Sequence, residues 1–317
     1  MKKILITGAT GFVGNHLIEL LLKEDNQIFG TYLNEESKER FSKFGDKLQL
    51  TKINLNEEGS VFSLIEEIKP DFIFHLAAST SPAESFNDPK GTIVNNIVIE
   101  LNILEALRKL GLSKTRILIT SSADIYGKVK KENLPIDENC PLNPTDPYAV
   151  SKIAQDFLAL QYFNAYKLRA IRARAFNHVG PGQSSKFVVS AFAKKIAEIE
   201  KENGSEITVG NLDARRDFTD VRDMVKAYVQ IIEKGEPGEV YNIGSGKAFK
   251  ISEILENLIK LSNKKITVRT DEKLIRPIDN PELVCDATKI RKTIDWEPKI
   301  PLSKTLEDTL NYWRKNL

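Results

Sequence analysis

Tyr148 and Lys152 stand four positions apart, so on a helix they share one face, one turn from each other. A free phenol with a pKa of about 10 is a poor proton shuttle at neutral pH, and a neighbouring ammonium is expected to favour the phenolate and lower that value. Such a pair can act as a general acid or base. Ser122, within TSSADIYG (Thr120 to Gly127), falls at the end of a strand-like run, where its hydroxyl can hold a substrate oxygen against the phenol. Alone, a YxxxK spacing most often marks a plain surface helix; the catalytic reading gains its weight from the other motifs.

The strongest of these lies at the start of the chain. KILIT runs directly into GATGFVG, with Gly8, Gly11 and Gly14 opening the next helix and Thr10, Phe12 and Val13 among them. Glycine serves where the backbone turns tightly and where a pyrophosphate must approach amide groups closely, and a helix N terminus adds partial positive charge. The strand, turn and helix context favours a dinucleotide cradle over a merely structural turn. For NAD, the second strand should end in a carboxylate that binds the ribose 2′-hydroxyl. Here Gly30, Thr31, Tyr32, Leu33 and Asn34 bring no carboxylate before Glu35, which tilts the expectation to NADP(H), with NAD(H) still allowed. Lys38 and Arg40 can reach a 2′-phosphate or can simply form a solvated helix face.

A cradle at residue 8 and an acid at residue 148 must be brought together by the scaffold. Lys3 to Thr7, Gln27 to Tyr32, Leu48 to Ile53, Asp71 to Leu76 and Arg116 to Ser121 read as strands, and Leu168 to Phe176 as another. Phe12 to Lys23, Glu57 to Ile68 and Ile93 to Leu110 have helical period between them. A further helix starts at Pro147, with Asp146 as its cap. This alternation predicts an α/β fold with a Rossmann-type doubly wound parallel sheet. Beyond Phe176 it dissolves into HVGPGQ, a helix over Val189 to Glu202, and short strand candidates such as EITVG and EVYNIG. We expect a dinucleotide-binding domain over 1–176, with returns from the C-terminal half, and a smaller, interleaved α/β substrate domain over 177–317.

Composition narrows the function classes. The 317 residues, 41% hydrophobic and 28% charged, suit roughly two domains with buried cores and exclude disorder. With 46 Lys and Arg against 44 Asp and Glu, the net charge of +2 gives no strong field, so neither nucleic acid nor membrane is an expected partner. Cys140 and Cys285 are too few for a disulfide framework, and His16, His75 and His178 lack metal-ligand spacing, so no metal is expected. No apolar run approaches the roughly 18 to 20 residues of a membrane span, and the opening run breaks at Thr7 and Gly8; a cytoplasmic protein is expected.

Together, GATGFVG, HLAA (His75 to Ala78), the set of Ser122, Tyr148 and Lys152, and RRDFTDVRD (Arg215 to Asp223) resemble the nucleotide-sugar branch of the extended short-chain dehydrogenases/reductases, over essentially the full length. FNHVGPGQ, FVVSAFAKKIAEIE and VGNLDARRD are most similar to the GDP-4-keto-6-deoxy-D-mannose reductases, which form GDP-D-rhamnose, and to the related GDP-mannose 4,6-dehydratases. The resemblance implies redox roles for Tyr148, Lys152 and Ser122. It assigns Leu76, Ala77, Ala78, Asn54 and Leu55 to the cofactor, Asn54 departing from the usual aspartate at the adenine end. It assigns Asn177, Asn211, Arg216 and Arg276 to the sugar nucleotide, two arginines suiting a pyrophosphate; the plainer reading of Arg216 is an ion pair with Asp217.

A 4,6-dehydratase needs an extra acid/base, a glutamate two positions after the serine-equivalent, where this chain has Asp124. One methylene matters, since about 1 Å of misplacement can cost on the order of 100-fold. Reduction of a C4 ketone needs only hydride from the cofactor and a proton from Tyr148, with Asp124 as a positioning group at the substrate. Reduction is therefore the expected chemistry, a 4,6-dehydratase or 4-epimerase the alternative, and a non-catalytic NADP-binding scaffold the remote one. Ile99 and Glu100 stand where many relatives have Gly-Thr, a departure expected to alter helix packing but not chemistry. By analogy with the family a homodimer is expected. His178, beside Asn177, is expected to border the substrate cleft, and Trp296 and Trp313 to be core or rim aromatics.

Overall fold

The computed structural model describes residues 1–317 apart from 36–40, 42–43, 46, 203, 272–273 and 275–279. Six strands arise in the first part of the chain: β1 (Lys2–Thr7), β2 (Asn26–Tyr32), β3 (Leu48–Lys52), β4 (Phe72–His75), β5 (Arg116–Ser122) and β6 (Arg169–Ala175). Five helices accompany them: α1 (Phe12–Leu21), α2 (Glu58–Ile68), the single turn α3 (Pro82–Ser85), α4 (Pro89–Lys109) and α5 (Pro147–Tyr166). The Ile- and Leu-rich runs form strands because both faces of the sheet are covered and alternate side chains enter opposite cores. Ile4 and Ile6 of β1 pack with Leu17 and Ile18 of α1 on one face. Leu5 enters the other face, with Val61 and Ile65 of α2 and Leu104 of α4. Each such buried side chain stabilises the fold by about 1.5–3 kcal/mol, and an aspartate at Leu118, buried in β5, would break it.

Proline and aspartate set the helix starts. Asp146 Oδ1 accepts from the Ala149 amide at 2.8 Å with Pro147 in the first turn of α5. The same device starts α4 at Pro89, before the expected Ile93: Asp88 Oδ1 accepts from the Gly91 amide at 2.8 Å.

The second part of the chain contributes seven more strands: β7 (Asn177–Val179), β8 (Glu206–Val209), β9 (Arg215–Asp220), β10 (Val240–Ile243), β11 (Ala248–Lys250), β12 (Thr267–Thr270) and β13 (Glu282–Leu283). Its helices are α6 (Val188–Glu202), α7 (Val221–Lys234), α8 (Ile251–Lys260), α9 (Thr288–Ile294) and α10 (Leu302–Asn316). The main sheet is parallel, seven-stranded, and ordered β10-β6-β5-β4-β1-β2-β3. Its edge strand β10 is the EVYNIG segment, which returns to pair in register with β6, Val240 opposite Arg172. In the smaller part, β9 pairs with β7, β11 and β13, while β8 pairs with β12. Around them α6, α8 and α10 enclose a third core that includes Phe192, Leu258 and Leu310. Among the described residues, no helix is long and apolar enough to cross a membrane.

Strand order reverses between β1 and β4, so the chain opens a crevice at the C-terminal ends of those strands. That opening positions everything below.

Candidate active site

A cavity of about 1130 Å³ runs from the α1 turn, across the ends of β4 and β5, to β9 and α6. At its floor Gly8 has φ +66°, and a Cβ there would meet the Ala77 backbone at 3.0 Å; a Cβ on Gly14 would lie 2.4 Å from the Ala9 carbonyl oxygen. Only glycine permits this tight turn against β4. The N terminus of α1 carries no side-chain cap and no acidic residue in its first turn, and Gly11, Phe12, Val13 and Gly14 line the cavity beside Thr10. Open amide groups at a positive helix end suit an anion such as a pyrophosphate. Leu76, Ala77 and Ala78 line the cavity after β4, and Asn54 and Leu55 line it after β3. The Asn54 amide also donates to Glu57 at 3.2 Å, and its oxygen accepts from the Asn56 amide at 3.1 Å, anchoring the start of α2.

Ser122 ends β5 and Tyr148 opens α5, and both are buried against the cavity with Lys152. Ser122 Oγ accepts from the Asp124 amide at 3.1 Å, and the hydroxyl acts on the Tyr148 phenol against the effect of burial. Lys152 Nζ donates to the Thr120 carbonyl at 2.8 Å and lies 5.9 Å from the centre of the Tyr148 ring. The expectation that the ammonium lowers the phenol's pKa is not met: burial, reinforced by the Asp124 charge, holds Tyr148 above its ordinary value. Burial likewise lowers Lys152, to about 8, against the opposing pull of Glu100. Burial therefore favours the protonated phenol of Tyr148 over a standing phenolate.

On the far wall, Asn177, Asn211 and Arg216 line the same cavity, as does Asp124. Arg216 Nη1 donates to the carbonyls of Arg215 at 2.9 Å and Asn280 at 2.6 Å, which holds its guanidinium in place. Asp217, its sequence neighbour, instead accepts from the amides of Ser245 and Gly246, each at 2.8 Å, and of Cys285 at 3.1 Å. Arg276, Lys38 and Arg40 lie outside the described residues. Every other residue expected at the cofactor, the chemistry or the sugar nucleotide meets at this cavity.

Sequence reasoning missed several lining groups. Tyr228 of α7 and Lys195 of α6 reach the cavity. His178 lines the cavity as expected, its ring parallel to Phe12 at 6.2 Å, joining the two walls. His16 hydrogen-bonds the Pro181 carbonyl at 2.9 Å, Trp296 is buried, and the Trp313 indole donates to Ser190 at 2.9 Å. No group of three His, Cys, Asp or Glu among the described residues is arranged to hold a metal.

The description of GDP-mannose 4,6 dehydratase matches residues 5–309. The chain belongs to this family of extended short-chain dehydrogenases/reductases. A GDP-6-deoxy-D-mannose reductase from Pseudomonas aeruginosa is 33% identical, covering 100% of this chain and 98% of that protein. A GDP-mannose 4,6 dehydratase from Drosophila melanogaster is 28% identical over 98% of this chain and 85% of its own length. Among solved structures, RMD from Pseudomonas aeruginosa complexed with NADPH superposes with a TM-score of 0.88 at 32% identity, covering 100% of both chains.

Proposed function

We propose that this protein reduces the C4 ketone of a nucleotide-linked 4-keto-6-deoxyhexose with NADPH, the best-fitting reaction being GDP-4-keto-6-deoxy-D-mannose to GDP-D-rhamnose. The observation that carries this reading is one cavity bounded by the α1 turn, by Ser122, Tyr148 and Lys152, and by Asn177, Asn211 and Arg216. The similarity to the GDP-6-deoxy-D-mannose reductase over the whole chain supports the same substrate class.

The uncapped α1 terminus and the bare surfaces of Gly8 and Gly14 fit a dinucleotide pyrophosphate. Thr31 to Asn34 line the cavity without a carboxylate, and Glu35 beyond them accepts from the Tyr32 phenol at 3.3 Å and pairs with Lys52 at 3.3 Å. A 2′-phosphate is better accommodated there than in a site with a free acid, which favours NADP(H) over NAD(H). When bound, the reduced nicotinamide supplies a hydride to the ketone carbon.

Tyr148 donates its phenolic proton to the ketone oxygen as charge develops there. Ser122, which lines the same cavity as the phenol, holds that oxygen in line for the transfer. The Lys152 ammonium stabilises the phenolate left behind, in a buried setting where charge is felt strongly. Arg216 presents a charged fork to the pyrophosphate of the sugar nucleotide. The exposed Val94 on α4, with Val150 and Phe157 on α5, favours a homodimer joined through these helices.

Asp124 supports a second reading, a 4,6-dehydratase, because it lines the cavity and its charge acts on Tyr148. Incubation separates the two. With GDP-4-keto-6-deoxymannose, NADPH should be consumed one for one; conversion of GDP-mannose to a 4-keto product without added reductant, and no NADPH consumption with the ketone, would favour the dehydratase.

A further inference from the structure

Glu100 is a fully buried carboxyl in the middle of α4, where a polar residue would ordinarily read as part of the surface. Neither of its oxygens has a well-formed hydrogen bond, and the Gln155 amide oxygen is also without one. Such groups are costly to bury and rare in folded chains. Asn96, one turn earlier on α4, donates to the Ser151 hydroxyl of α5 at 2.9 Å, which seats the two helices against each other. That contact turns Glu100 toward Gln155, which faces it, and brings it within electrostatic reach of Lys152 and Asp156.

The cluster continues into the sheet. Gln155 Nε2 lies 3.4 Å from His75 Nε2, and His75 Nδ1 lies 2.8 Å from the Thr7 hydroxyl, one residue before the Gly8 turn. His75 is held down to about 3 by burial and the Lys152 charge, so it stays neutral and only relays hydrogen bonds. Amide nitrogen and oxygen are interchangeable by rotation, so closing the Glu100–Gln155 contact would give this chain two complete arrangements. With a proton on Glu100, hydrogen bonds run from Glu100 to Gln155, to His75, to Thr7. With Glu100 ionised, every bond reverses and the Gln155 amide donates to the carboxylate. Asp156 is already committed to Arg172 at 3.0 Å and to Arg174 at 2.9 Å, which leaves Glu100 as the carboxyl without an ion-pair partner in this cluster.

We propose that Glu100 is a positioning residue that sets the charge of Lys152, and thereby the pH range of proton donation by Tyr148, from behind the active site. This inference rests on the role given to Lys152 above. The sequence-based expectation that Glu100 alters packing and not chemistry is replaced by it. Burial pushes the Glu100 carboxyl up and the Lys152 ammonium down, so the two titrate as a pair. Below the range of the pair, both groups carry their protons. Once Glu100 is ionised it stabilises the Lys152 ammonium, which then loses its proton at higher pH than it would alone.

Glu100→Gln keeps the shape and removes the ionisable proton. In the variant, the alkaline fall of kcat for ketone reduction should move to lower pH by about one unit, with KM for the sugar nucleotide unchanged. A second readout does not depend on turnover: the Cε resonance of Lys152, in protein labelled at lysine and assigned with Lys152→Met. In the wild type it should show two steps, and in Glu100→Gln a single step at lower pH. If the protein proves not to be a ketone reductase but these titrations behave so, the assignment of the reaction fails and the Glu100 coupling stands. A single unshifted step in both proteins, or an unchanged pH profile with a uniformly lower kcat, overturns the proposal.

Discussion

The two walls of the cavity are built on different principles. On the sheet side, each expected residue sits at the end of a regular element: Gly8 after β1, Ser122 at the end of β5, Tyr148 in the first turn of α5. Buried polar contacts fix that wall from behind, including Asp156 with Arg172 and Arg174, and Tyr126 with Asn242 at 2.7 Å. On the smaller side, Asn177 lies on a three-residue strand and Asn211 on a loop, where its oxygen accepts from the Asp213 amide at 2.9 Å. The first wall is suited to chemistry, which needs fixed atoms, and the second to recognition, which varies with the ligand.

This contrast predicts that substitutions on the sheet side act on kcat or on folding, and those on the smaller side on KM. Tyr148→Phe should lower kcat by about 10²–10⁴-fold with NADPH affinity nearly unchanged, measured by steady-state kinetics and cofactor fluorescence. A fully active variant would remove Tyr148 as the proton donor. Asp156→Ala strands two buried guanidinium groups and should cost about 3–5 kcal/mol in urea unfolding; a loss below about 1 kcal/mol would show that the wall does not depend on this cluster. Arg216→Ala should raise KM for the sugar nucleotide by about tenfold or more while kcat changes little, since it removes charged hydrogen bonds to the ground and transition states alike. A fall in kcat at constant KM would move Arg216 to the chemical side of the comparison.

The smallest effect is a matter of pH. Lys152 is held down to about 8 by burial, so it is charged below that value and neutral above it. Ketone reduction should therefore decline as pH rises through about 8, because the phenolate left by proton donation loses its neighbouring positive charge. Lys152→Arg, whose guanidinium stays charged, should flatten that limb even where its overall rate is reduced. A limb that persists unchanged in the variant assigns the titration to another group.

The same contrast explains what could be read before the structure. The glycine turn, the strand-end serine and the tyrosine and lysine one helical turn apart are local patterns at the ends of regular elements, so their residue types and spacing, taken in combination, could be read from the sequence. The start of α4 at Asp88 and Pro89 carried an equally local signal, though the apolar periodicity drew attention to Ile93 instead. The raised pKa of Tyr148 was not legible, because burial is a property of tertiary packing and outweighs the lysine that sequence places beside it. Nor were Tyr228 and Lys195, which reach the cavity only once α7 and α6 are docked. The burial of Glu100 was not legible either, because nothing in its local sequence shows that α5 packs against it.

In the proposed reaction, the sheet-side wall directs hydride to the sugar's C4 and a proton from Tyr148 to its oxygen. Stereospecifically deuterated NADPH, one preparation carrying the label on each face of the nicotinamide, tests this directly with GDP-4-keto-6-deoxymannose as the acceptor. One of the two preparations should yield a GDP-linked 6-deoxyhexose with one deuterium at C4 for each NADPH oxidised. A product that carries no deuterium from either preparation, or an unchanged ketone in the presence of bound cofactor, would contradict it.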